Sequence, residues 1–429
     1  MKILVYGINY APELTGTGKY TAEMAEWLAA RGHQVSVVTA PPYYPQWRVQ
    51  LGYRAGRYQR ETLRGVDVRR APLWVPARPG GAKRLAHLAS FALSSLPSLL
   101  RAAVSRPDLV FVVEPALFCA PAAWLAARLC GARAWLHIQD YEVDAAFELG
   151  LLKGAGLRGL VRRAETWLMR RFDRVSTISG RMLERALAKG VDPARALLLP
   201  NWIDVDRISP DEGGDLRAEL GIPPQAVVAL YSGNMGGKQG LLTLADAARR
   251  LSAHEGIWFV FCGQGPERAP LQDACAGLRR VVFLDLQPAE RLGALLRTAD
   301  IHLLPQRAGA ADLVMPSKLT GMLASGRPVV CGAAEGTELA GVVRHCGLLV
   351  APEDGGALAG AVRALADDSA RRHALGEAAR QYAQAHLHVE SVLAAAEHAF
   401  LDATGQALSR SAAARESAAR ESAARESDL

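Results

Sequence analysis

The sequence has little of what builds metal or disulfide frameworks. Its six cysteines, Cys119, Cys130, Cys262, Cys275, Cys331 and Cys346, show no CxxC or Cys/His ligand spacing. Most sit in apolar stretches, so reduced core cysteines are expected. The start, MKILVYGINYAPE, reads poorly as a secretory leader, having one Lys, a short apolar run and no small-residue cleavage site. That segment reads as a buried strand entering a turn, and a cytoplasmic protein is expected. No GxGxxG follows a strand, and the acid a dinucleotide site needs after the second strand is replaced by PPYYPQW. Basic residues are scattered, without an aromatic-studded strand or recognition helix, which argues against nucleic acid. A bilayer span is excluded where it is most tempting. The 16 residues between Arg84 and Arg101 are uncharged but Ser-rich and broken by Pro97, too short to cross.

What is present is a 429-residue chain, half of it hydrophobic and 22 % charged. That length exceeds one core, so two globular domains are expected. Charge is unevenly placed: residues 1–200 carry 28 Lys/Arg against 15 Asp/Glu, a net +13 within a chain total of +7. A basic front half suits an anionic partner, such as a phosphate-bearing lipid or a bilayer surface. Leu85, Leu88, Phe91, Leu93, Leu96, Leu99 and Leu100, flanked by Lys83 and Arg106, fit either a helix lying in a membrane interface or a buried helix.

Strand signals alternate with helical ones. ILVYG precedes a helix from Gly18 to Arg31 with Tyr20, Met24, Trp27 and Leu28 on one stripe; QVSVVTA, VDVRRAP, PDLVFVV, ARAWLHI and RVSTIS follow. The pattern restarts with VVALYSG, WFVFCGQG, VVFLD, ADIHLLP and RPVVCG. Such alternation predicts α/β architecture: two Rossmann-like parallel-sheet domains facing a cleft, with ligands outside the carboxyl ends of the strands. The expected divisions are a first domain over 1–203, a polar linker over 204–224, a second domain over 225–384, a helix over 385–405 packing back on the body, and a tail over 406–429. The tail repeats ARESA without a hydrophobic stripe and is assigned no chemistry.

Three glycine-rich loops follow strands. In NYAPELTGTGK, Gly16 and Gly18 allow close backbone approach to an anion at a helix start, with a tight turn into the helix as the lesser alternative. After VVALYSG comes Asn234-Met235-Gly236-Gly237-Lys238-Gln239-Gly240, where amides and an ammonium suit a diphosphate. FCGQGPE, with Gly263 and Gly265, is placed to wrap a base or ribose. Lys318 lies on the first turn of a helix beginning near Pro316 and Ser317. Asp204-Val205-Asp206 has the spelling of a metal motif but falls in the expected linker, so no metal site is assigned.

The stretches VYGINYAPELTGTGKYTAEMAEWLAARGH, VVTAPPYYPQW, LHIQDYEVDA, LPNW, LYSGNMGGKQGL, CGQG and ADLVMPSKLT resemble the retaining GT-B glycosyltransferases of family four. Within that family they are similar to the colanic-acid biosynthesis fucosyltransferase (WcaI-type) subgroup, and the resemblance covers residues 1 to about 340. It implies a metal-independent transferase with no cofactor beyond a nucleotide-sugar co-substrate, GDP- or UDP-linked. The second domain would bind that donor and the first the acceptor. The family's E-x7-E pair falls on Asp312, a carboxylate suited to the transferred sugar, and on Thr320, which cannot bind ribose as a carboxylate does. Asn234 and Gln239 stand near the family's Arg and Lys, leaving Lys238 and Lys318 as diphosphate cations, with Gly16, Gly18, Gly236, Gly263, Gly265, Pro316 and Ser317 completing the donor set.

Where many relatives carry His-Asp, this chain has Gln139-Asp140, with His137 on the same strand face as Gln139. His137, Gln139 and Asp140 join Asp312 as the catalytic candidates, and a satisfied core histidine is the alternative for His137. Thr17, Lys19, Glu142 and Asp144 are the acceptor-binding candidates. The expected reaction is fucosyl transfer from GDP-fucose to a polyprenyl-diphosphate-linked saccharide at the inner membrane face, in exopolysaccharide assembly. A UDP-N-acetylhexosamine donor, a non-hydrolysing sugar-nucleotide epimerase and a non-catalytic scaffold are the competing readings.

Overall fold

The computed structural model describes residues 1–13, 16–77, 80–113, 116–141, 155–210, 213–308 and 316–406, with the side chain of Lys238 among those left undescribed. Asp312, Glu142, Asp144 and the repeat tail lie outside the described residues. The chain divides into two compact units. The first takes Met1–Thr177, Leu183–Leu199 and the chain from Leu393 on; the second takes Ile178–Met182 and Pro200–Val392.

The first unit is built on an eight-stranded sheet: β1 (Lys2–Tyr6), β2 (Gln34–Thr39), β3 (Gln59–Leu63), β4 (Val66–Arg70), β5 (Leu109–Val113), β6 (Arg133–Ile138), β7 (Arg174–Thr177) and β8 (Ala196–Leu198). Their order is β3-β4-β2-β1-β5-β6-β7-β8, parallel throughout except β3 against β4. Strands such as LVFVV are buried at every position, as a parallel sheet covered on both faces requires. Right-handed crossovers decide the faces. α1 (Thr17–Ala30) covers one, with Tyr20, Met24 and Leu28 buried. The other carries α2 (Gly81–Ser94), α3 (Leu96–Ala103), α4 (Ala116–Cys130), α5 (Ala155–Met169) and α6 (Gly180–Ala188). The apolar segment around Pro97 is thus two helices, broken at Ser95, burying Leu88, Phe91 and Leu99.

The second unit is a six-stranded, all-parallel sheet of order β11-β10-β9-β12-β13-β14. Its strands are β9 (Val227–Ser232), β10 (Ile257–Cys262), β11 (Val281–Leu284), β12 (Ile301–Pro305), β13 (Val329–Gly332) and β14 (Gly347–Val350). Around it stand α7 (Leu242–Arg250), α8 (Arg268–Ala274), α9 (Leu292–Thr298), α10 (Lys318–Ala324), α11 (Glu338–Cys346), α12 (Gly355–Asp367) and α13 (Ser369–His386). One core packs α7 and α12 against β9, β10 and β12; a second gathers Met322, Leu323, Cys331, Val343 and Ala383 on the opposite side.

Two divisions expected from sequence are drawn differently by the structure. Residues 204–224 are not a loose connector: Val205, Ile208, Leu216 and Ile222 are buried in the second unit. Arg217 ties the segment down through Asp300 at 2.7 Å and the Ala226 carbonyl at 2.9 Å. The expected helix over 385–405 is instead the end of α13 and a separate α14 (Val389–Ala403). They part at Leu387–His388, where Ile203 N–H donates to the Leu387 carbonyl at 2.8 Å. From Leu393, α14 joins the first unit: Phe400 meets Phe111 and Trp135 edge-on at 5.4 and 4.8 Å. Glu397 accepts from His33 at 2.7 Å and Arg31 at 2.9 Å.

Candidate donor and acceptor sites

In the second unit the candidate residues gather at the carboxyl edge of the sheet, where the register sets Ser232 beside Cys262 and Pro305 beside Gly332. The two glycine loops are hydrogen-bonded to each other. Gly233 N–H donates to the Cys262 carbonyl at 3.0 Å and Met235 N–H to the Gln264 carbonyl at 2.8 Å. Their glycines are obligatory. A Cβ at Gly263 would stand 1.9 Å from the Gly233 carbonyl oxygen, and one at Gly265 2.3 Å from that of Met235. Both have φ near +150°, which side-chain-bearing residues avoid. Arg268 holds the second loop by donating to the Gly263 carbonyl at 3.1 Å while pairing with Asp285.

Lys318 enters this layer from the start of α10. Its Nζ donates to the Tyr231 hydroxyl at 2.8 Å and lies 4.3 Å from that ring's centroid. Tyr231 passes the interaction on by donating to the Asn234 carbonyl at 2.6 Å. The lysine stem runs 3.6 Å from where a Cβ at Gly233 would stand. Burial pulls the ammonium down to about 7, with the Cys331 sulfur acting weakly the other way. Among the described residues no carboxylate pairs with it. A partly buried cation whose hydrogen-bond partner is a neutral phenol is suited to an anionic ligand.

Other donor candidates have local tasks. Gln239 accepts from Gly236 N–H at 3.1 Å, so side chain and amide are engaged with each other. Asn234 is exposed, Ser317 is exposed at the entry to α10, and Pro316 accepts from Leu319 N–H at 2.9 Å. Thr320 turns inward and donates to the Ser317 carbonyl at 2.9 Å. Two neighbours were not read from the sequence. Tyr231 hides inside an apolar strand. Gln306, the first residue beyond β12, buries an Oε1 with no hydrogen-bond partner among the described residues. Its position just past a strand end was the available signal.

In the first unit His137 and Gln139 do share a face. The Gln139 amide nitrogen lies 2.9 Å from His137 Nε2 and donates to it. His137 Nδ1 then carries the proton toward Ser176 Oγ at 2.9 Å, which also accepts from Trp135 Nε1 at 2.8 Å. The ring stacks on Phe111 at 5.5 Å, and burial lowers its pKa to about 3. A neutral, doubly engaged imidazole of this kind positions Gln139. Asp140 is the second residue beyond the end of β6.

The loop after β1 is organised by a residue the sequence reading passed over. Glu13 is buried and accepts from Asn9 Nδ2 at 2.8 Å, Tyr43 N–H at 2.9 Å and Tyr44 N–H at 3.0 Å. Burial raises its pKa against those hydrogen bonds. Gly18 is small for Glu13's sake, since a Cβ there would come 2.7 Å from Oε2. Arg70, fully buried, binds the Ala11 carbonyl at 2.6 Å and that of Ala40 at 2.9 Å, fixing the same loop from below. Tyr44 thereby stands 3.7 Å from a Cβ position at Gly16, with its phenol in electrostatic range of Arg84, Glu13 and Asp140. Lys19 pairs with Glu23 at 3.7 Å along the helix, and the Thr17 carbonyl accepts from Thr21 at 2.8 Å.

Residues 15–202 match a family model described as a glycosyl transferase 4-like domain, and residues 226–368 match glycosyl transferases group 1. A relative from Escherichia coli K12, named as the colanic acid biosynthesis glycosyl transferase WcaI, is 46 % identical over 404 residues, covering 92 % of this chain and 98 % of that protein. Among solved structures, sucrose-phosphate synthase from Thermosynechococcus elongatus superposes with a TM-score of 0.71 at 19 % identity, over 94 % and 98 % of the two chains. Anabaena HepE, solved in complex with UDP and glucose, gives 0.68 at 15 % identity over 94 % and 100 %. Both likenesses establish the GT-B fold.

Proposed function

The chain belongs to the glycosyltransferase family whose 4-like and group 1 domains it carries, and from that premise we propose a retaining, metal-independent hexosyltransferase of exopolysaccharide (colanic-acid-like) assembly. In this reading the donor is GDP-fucose and the acceptor a polyprenyl-diphosphate-linked saccharide. The protein acts as a peripheral enzyme on the inner face of the cell membrane, with no cofactor beyond the nucleotide sugar. The observation that carries the donor assignment is Lys318, an anion-seeking ammonium held at the meeting of two glycine loops.

Retention has the acceptor hydroxyl attack from the leaving-group side, with the departing phosphate oxygen taking its proton. The protein's work is then to neutralise the diphosphate and align the acceptor. Lys318 and Lys238 supply the charge in this scheme, and the Gly236 amide is freed when a ligand displaces Gln239. Asp312 faces the transferred sugar in this scheme, and Gln139, braced by His137, with Asp140 offers polar contacts to the reacting centre. A UDP-N-acetylhexosamine donor is the second reading, favoured by the UDP complex of the structural neighbour. Thermal stabilisation by a panel of GDP-, UDP- and dTDP-sugars decides between them. Loss of transfer in folded Lys318→Ala and Asp312→Ala variants is expected and would exclude the scaffold reading; full activity in both would overturn the site assignment.

A further inference from the structure

Among the described residues twelve large apolar side chains are exposed, and all but Leu242 belong to the first unit. Seven of them lie on one bank of helices, and we propose that this bank, α2 to α5, is the face by which the protein lies on an anionic lipid bilayer. The proposal deepens the membrane part of the reading above and rests on it, while standing apart from the chemistry given to Lys318.

The exposed positions follow helical spacing. Leu93 is exposed near the end of α2, Leu100 and Val104 stand four apart at the end of α3, Leu125 and Leu129 four apart on α4, and Leu160 and Trp167 seven apart on α5. These seven are between 50 and 81 % exposed. α4 packs against α2, α3 and α5, so these positions sit on neighbouring helices. The inward faces of the same helices are already used, by Phe91, Leu99, Ala123, Ala127 and Leu168 among others. Apart from Trp167, which meets the Trp124 ring edge-on at 6.3 Å, no ring or hydrogen-bond contact holds these outward side chains among the described residues, and an aqueous surface gains nothing from them.

Charge selects the occupant. α2, α3 and α4 contain no Asp or Glu, and α5 contains only Glu165, which is buried and paired with Lys189 at 2.5 Å. Lys83, Arg101, Arg128 and Arg163 are exposed on the same helices. Arg171 lies over the Trp167 ring at 4.4 Å, a guanidinium on an indole at the rim. Leu and Trp with interspersed Arg match the boundary between acyl chains and acidic headgroups, where apolar bodies sink and charged ends stay with phosphate. A second copy of the chain seated on the same face would oppose like charges, which disfavours it.

Co-sedimentation of the full chain with vesicles tests this. Binding to phosphatidylglycerol-containing vesicles, weakened by salt and nearly absent on pure phosphatidylcholine, is the expected result. Leu129→Glu and Leu93→Glu should each lower the partition coefficient about tenfold or more, with melting temperature and stabilisation by nucleotide sugars unchanged, so a failure here is told apart from a failure of the donor site. Wild-type protein that ignores anionic vesicles, or variants that bind them undiminished, overturns the proposal. So does a wild-type dimer, split by Leu129→Glu, that leaves vesicles alone, since it gives the face to a second copy.

Discussion

Lys318 is the residue whose surroundings say most about its task. Partial burial pulls its ammonium down to about 7, and a bound diphosphate would lift it back up. Above pH 7 binding must therefore take up a proton. Affinity for a nucleoside diphosphate should be level below pH 7 and fall by up to about tenfold per pH unit above it. Calorimetric titration across that range should show the slope in wild type and none in Lys318→Met, whose binding should be about 10–100-fold weaker for loss of one charge-assisted hydrogen bond. His137 predicts the opposite behaviour. With its pKa pushed to about 3 it stays neutral throughout, so no titration near neutrality should be traceable to it. Ser176→Ala leaves both Trp135 Nε1 and His137 Nδ1 without their partner. It should cost about 1–3 kcal/mol in urea unfolding.

At the scale of elements, the glycine loops and the strands they follow were legible because spacing alone reports them. Glycine clusters after apolar runs can only be strand-end loops, and Lys318 was readable as the first turn of a helix. What was hidden was hidden for physical reasons. β3 is QRETL, a polar edge strand that needs only one partner, and its composition resembles a loop. Glu13 reads as a surface acid, since nothing in PELTGTG announces two tyrosine amides arriving from 30 residues away. Residues 204–224 carry four buried apolar side chains too sparsely spaced to show a period. Gln239, read as a ligand contact, is spent on Gly236 in the free loop. The close approach of the two glycine loops gives a sharp expectation. Gly265→Ala should cost about 1–3 kcal/mol from backbone conformation alone, and displacement from Met235 should abolish nucleotide-sugar stabilisation in a thermal melt.

For the whole molecule, the notable fact is that the first unit is assembled from both ends of the chain. Phe400 is fully buried against Phe111 and Trp135, and a change to Ala should cost about 3–5 kcal/mol. Ending the chain after Val392 should remove that contact together with the Glu397 pairs to Arg31 and His33. Such a truncated protein should show the first unit melting early or not cooperatively by calorimetry, while the second unit, which keeps Lys318 and both glycine loops, retains nucleotide-sugar binding.

That arrangement has a consequence in time. The sheet of the first unit leaves the ribosome early, but the helix that covers Phe111 and Trp135 is made about 200 residues after β8. At elongation speeds of about 5–20 residues per second that is a wait of about 10–40 s. Throughout it, an aromatic face of the nascent chain stands open and adhesive. Newly made protein should thus be a customer of holding chaperones until its last helix arrives.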